Sequence, residues 1–73
     1  MFNLIKDLLK DNDHVLVTFI NGQSREIKEI DQLPDNTNIF KSTDTADYEV
    51  YFRETNIVTI VPEAKPTQID PLI

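Results

Sequence analysis

The stretch 14–20, His-Val-Leu-Val-Thr-Phe-Ile, restricts this chain more than any other. Val15, Val17 and Phe19 alternate with Leu16, Thr18 and Ile20, and a period of two is the signature of a strand. Both faces carry apolar groups, which predicts a strand covered on both sides. Asn21-Gly22 follows at once. Both residues tolerate the positive φ of a type I′ turn, so a hairpin is expected here. The return strand, about 23–30, holds Ile27 and Ile30 out of alternation, which predicts a bulge or a strand end between them.

The remaining elements fit around this hairpin. Phe2, Ile5, Leu8 and Leu9 recur at helical spacing and predict an amphipathic helix over 2–10. Asp11-Asn12-Asp13 ends it, because such residues compete for backbone hydrogen bonds. A helix of under three turns does not hold alone in water and has to pack on the strands. Residues 31–36 are expected as a loop, Pro34 being unable to donate to a ladder. A third strand is expected at 37–41 and a polar turn at 42–47. In a fourth strand, Tyr48, Val50 and Phe52 point inward and Glu49, Tyr51 and Arg53 outward. After a tight connection at 54–56, the β-branched run 57–61 makes a fifth strand, stopped by Pro62. One helix and five short strands predict a mostly β fold, a small Sm-like or SH3-like barrel capped by the helix over 1–62. The rest, 63–73, is expected as an extended or disordered tail.

Size and charge narrow the function. A chain of 73 residues without cysteine has one small core and no disulfide to support it. Self-association, which adds core, is the expected remedy. Thirteen acidic against seven basic residues give a net charge of −6. There is no Lys/Arg cluster, so RNA or DNA binding through the phosphate backbone is disfavoured. No run approaches the ~20 apolar residues of a membrane span, and no signal-peptide pattern opens the chain. The expectation is a cytoplasmic protein.

Catalytic and cofactor chemistry finds little support. His14 stands beside Asp11 and Asp13, but one histidine among carboxylates at a turn reads better as solvated than as a metal ligand. No serine or threonine has a base in view, and Glu26 and Glu29 read as solubilising charges. A domain this small is not expected to enclose a ligand cavity of about 300 Å³. The reading is a non-enzymatic binding module with no cofactor. Phe40, Tyr48 and Phe52 are expected in the core. Tyr51 is a surface candidate, better suited to a subunit interface than to base stacking.

With this order of elements the chain resembles the Sm-like fold, and specifically the bacterial Hfq-type RNA chaperones. Three stretches carry the likeness: Phe2 through Gly22, a helix leading into a strand that ends in Asn-Gly; the Asp31-Gln32 pair after the second strand; and Val50 through Pro62, ending in Val-Pro. The resemblance implies a ring-forming barrel whose fourth and fifth strands pair between subunits. In the family a Tyr-Lys-His run near the last turn lines the RNA pocket. Here those places hold Arg53, Glu54 and Thr55, which puts a carboxylate where RNA would approach. The second strand also reads as shorter, and the Asp31 loop as longer, than the family's. The site residues to follow are therefore Tyr51, Arg53, Glu54, Thr55, Asp31 and Gln32, with protein contact or altered RNA binding as their work. The alternative is a small acidic phage or mobile-element protein that inhibits a host defence or nucleic-acid-binding protein. Its acidic face would be Asp31, Asp35, Asp44, Asp47, Glu49 and Glu54.

Overall fold

A computed structural model describes residues 1–63 of the chain, so the expected tail beyond Glu63 lies outside the described residues. The helix α1 spans Phe2–Asp11. Ile5 is fully buried, Phe2, Leu8 and Leu9 are half-buried around it, and the polar residues face water. Asn12 ends the helix with an extended backbone, and its Nδ2 donates to the Leu8 carbonyl at 2.8 Å. That bond satisfies one of the carbonyls a helix leaves unpaired at its C-terminus.

Five antiparallel strands follow: β1 (His14–Phe19), β2 (Ser24–Leu33), β3 (Asn36–Asp44), β4 (Glu49–Arg53) and β5 (Ile57–Glu63). They form one sheet in the order β4-β3-β2-β1-β5. The protein is thus mostly β with an N-terminal helix, and β4 and β5, consecutive in the chain, lie at opposite edges. They do not pair with each other, so the sheet is open. It is nevertheless strongly curled. Phe19 of β1 and Phe52 of β4 have ring centroids 4.9 Å apart. In a flat sheet three strand spacings would hold these residues about 14 Å apart.

The core lies inside this curl. Ile5, Val15, Val17, Ile27, Ile30, Phe40 and Phe52 are buried together, and Phe40 contacts both Phe2 and Phe52. Ile27 and Ile30 both reach it because of the expected bulge: β3 steps from Asp44 to Thr43 while β2 steps from Ile27 to Glu29, leaving Lys28 as the extra residue. Val15, Val17 and Phe19 face this core, as does the helix. The opposite face of β1 is not covered by any described element; Leu16 and Thr18 are half-exposed. The expectation of a strand covered on both sides is corrected accordingly. Ile20, assigned to the strand by alternation, sits in the turn and is 69% exposed.

The turns depart from expectation in instructive ways. Only Gly22, at φ +86°, takes a positive φ in the first hairpin. Its N–H donates to the Phe19 carbonyl at 2.9 Å, and the Phe19 N–H donates to the Gln23 carbonyl at 2.8 Å. This is a three-residue loop, a turn followed by a left-handed glycine, rather than a type I′ turn. The β3–β4 loop repeats it. The Asp47 N–H donates to the Asp44 carbonyl at 3.0 Å, the Asp44 N–H to the Tyr48 carbonyl at 3.0 Å, and Asp47 holds φ +68° where the first loop has glycine.

Residues 31–33 belong to β2, not to a loop, and Leu33 pairs directly with Asn36. Pro34 promotes this reversal, since its fixed φ suits the first central position of a turn. The second strand is therefore long, with ten residues, and the connection after it short. Residues 42–44, expected in a turn, complete β3, and Ser42 and Asp44 are buried. Tyr48, expected inside, is 68% exposed, because it closes the loop at the end of the β3–β4 ribbon while burial deepens toward Phe52. Pro62 does not stop β5, which continues to Glu63 with Pro62 opposite Val15. An edge strand tolerates proline because an N–H on its open side has no ladder partner.

Candidate functional site

The residues singled out by resemblance occupy one end of the sheet. Across β2, β3 and β4 the register aligns Asp31, Lys41 and Tyr51 in one row. Cross-strand partners share a face, so these side chains project to the same side, with Asp31 about 10 Å from Tyr51. Arg53 follows Tyr51 on that face, opposite Ile39. Tyr51 is 54% exposed, and Lys41 Nζ lies 3.5 Å from a Glu49 carboxylate oxygen. Asp31 faces Lys6 of the helix at 3.8 Å, and Gln32 Nε2 donates to the Thr37 carbonyl at 3.3 Å. Gln32 shares its row with buried Phe40 and Phe52, so it lies on the face opposite to Asp31.

Glu54 and Thr55 belong to a single 3₁₀ turn over Glu54–Asn56 that carries the chain from β4 to β5. Glu54 lies 3.6 Å from the Met1 ammonium, which ties the start of the helix to this connection. The carboxylate expected in place of the family's lysine is thus engaged within the chain. The Asn56 carbonyl accepts the Ile20 N–H at 2.9 Å, bringing the first hairpin beside the same turn.

Two surface grooves adjoin these elements. One, of about 440 Å³, runs between the first hairpin and β4 and is lined by Phe19, Ile20, Gln23, Arg25, Tyr51 and Asn56, among others. The other, of about 490 Å³, lies between the helix and β2, where Lys6, Lys10 and Lys28 face Glu29 and Asp31. Both exceed the volume expected for so small a chain, but each is an open depression. Sequence reasoning missed Ile20, Arg25 and Asn56 as groove residues. The available signal was the position of Ile20 directly before Asn-Gly, where a loop would turn it outward.

The acidic residues do not form one solvated surface. Asp44 is only 5% exposed. Its Oδ1 accepts the N–H groups of Ala46 and Tyr48, both at 2.9 Å, and its Oδ2 faces Arg25 at 3.8 Å. It is a structural cap of the β3–β4 loop. Lys28 pairs with Asp47, which raises its pKa above the ordinary lysine value through that hydrogen bond. His14 stands between Asp13 (2.9 Å) and Glu26 (3.7 Å) and makes no ion pair with Asp11. Among the described residues no cluster of His, Asp and Glu is placed to hold a metal ion, and no helix is long and apolar enough to cross a membrane.

What remains open is the backbone of the two edge strands. Among the described residues β4 pairs only with β3, and β5 only with β1. Apolar side chains stand exposed along both: Tyr51 on β4, and Val58 (58% exposed) and Val61 on β5. Val58 is the extra residue of an irregularity opposite the Thr18–Phe19 step. Fold and surface together define a small, curled, helix-fronted antiparallel sheet whose two edges are unpaired among the described residues. Comparison with protein-family models, curated proteins and solved structures gave no match.

Proposed function

We propose that this chain is an Sm-like, self-associating, non-enzymatic module that works through protein–protein contact. Its copies join head to tail, β4 of one pairing with β5 of the next. One observation carries the reading: the two edges left unpaired among the described residues belong to consecutive strands joined by a single short turn, and both expose apolar side chains. A free edge is a template for another strand unless it is covered, charged or interrupted, and on β5 the regular stretch Thr59–Val61 lies between the irregularity at Val58 and Pro62. The curl that brings Phe19 to Phe52 supports an open-barrel protomer, in which the two edges flank one another without meeting. A contact between two different edges repeats from copy to copy and ends only when a ring closes. The net charge of −6 and the lack of any Lys/Arg cluster in the sequence favour protein contact over RNA as the use of the surface.

The test is the mass of the full chain in solution, by light scattering across a concentration series, with Val58→Lys in parallel. An edge lysine opposes strand addition. A closed oligomer that Val58→Lys reduces to monomer is the expected result. A monomer at every concentration overturns the proposal.

A further inference from the structure

Resting on the edge-to-edge reading above, we infer that ionic strength regulates this assembly, and that added salt strengthens it. The charge distribution carries the inference. Of the cations among the described residues, Lys6, Lys10, Arg25, Lys28 and Lys41 each face a carboxylate of their own chain. Arg53 alone among them has no such partner. An arriving copy therefore finds almost no unspent positive charge at the edges. It brings its own net charge of −6 to meet another −6. Near the proposed seam, Glu49 on β4 and Glu63 on β5 add carboxylates at strand ends that antiparallel pairing brings toward each other.

The repulsion is long-ranged and therefore open to screening. Two copies meeting at their edges stand roughly one molecular width apart, 25 Å. That distance is shorter than the ~30 Å Debye length at about 0.01 M salt and well beyond the ~8 Å length at about 0.15 M. Coulomb's law between these net charges then predicts an association constant on the order of ten- to fifty-fold larger at the higher salt. The sign is opposite to that of a nucleic-acid contact, which salt weakens.

Sedimentation velocity of the full chain at fixed concentration, stepped through sodium chloride, reads the effect. A second protein, Asp11→Asn with Asp35→Asn, removes two exposed charges away from the edges and separates screening from a general salting-out. The expected result is assembly that rises with salt, and a variant that assembles more tightly in low salt and responds less to its addition. Oligomers whose stability is indifferent to salt, or falls with it, overturn the inference and leave the pairing standing. So does a variant that tracks the parent at every salt step. Monomers at all salt concentrations overturn both.

Discussion

Replacing Asp44 by alanine is expected to destabilise this protein far more than replacing any other acidic residue of its loops. The Asp44 carboxylate accepts two backbone N–H groups and faces Arg25, and all three partners lose it at once. A hydrogen bond of this kind contributes about 1 kcal/mol net, and a buried donor left unpaired costs about 1–3 kcal/mol. Ala46 and Tyr48 are exposed residues, so water recovers part of that loss. The expected cost is about 2–3 kcal/mol, against a total stability of about 4–11 kcal/mol for a chain of this length. With a urea dependence of about 1 kcal/mol per molar, the unfolding midpoint falls by about 2–3 M. Asp44→Asn keeps the Oδ1 acceptor and loses about 1 kcal/mol or less. Asp35→Ala, in the exposed β2–β3 turn, stays within about 0.5 kcal/mol of the parent. Urea unfolding followed by circular dichroism compares the three. An Asp44→Ala midpoint equal to that of Asp35→Ala would refute the capping role and return Asp44 to the solvated surface.

The paired loops give further expectations. Asp47 occupies the left-handed position that Gly22 fills in the first hairpin. Asp47→Gly relieves that strain and gives up only an exposed pair with Lys28, so it slightly raises the midpoint of thermal unfolding. Gly22→Ala meets no atom within 4 Å of its new Cβ, yet its φ of +86° makes it cost about 1 kcal/mol by the same measure. Val58→Lys leaves the unfolding midpoint of the isolated protomer within about 0.5 kcal/mol, since Val58 is exposed, while its solution mass falls.

Periodicity made the helix, the five strands and most of the core legible. Ile5, Val15, Val17, Phe40 and Phe52 fall where their spacing places them, and the Ile27–Ile30 mismatch marked a real bulge. What escaped was set by contacts distant in sequence. Nothing local distinguishes Asp44 from Asp47; only the strand that brings Arg25 alongside, and the loop that curls over the carboxylate, make one buried and the other exposed. Asp31-Gln32-Leu33 reads as a loop because it is polar and precedes proline, yet pairing with β3 overrides that local preference. Pro62 misled in the same way, its cost at an edge being smaller than in a sheet interior. Of the candidate site, Tyr51 was recognisable as outward-facing from alternation. The grooves were not, because they lie between elements remote in the chain.

Amide hydrogen exchange along β4 and β5, measured at low and high protein concentration, probes the seam itself. If strands of neighbouring copies pair, the outward-directed amides of both edges slow together as concentration rises, while those of the Ile20–Gly22 loop do not change. Edge amides whose exchange is the same at every protein concentration would mean that no copy ever docks there.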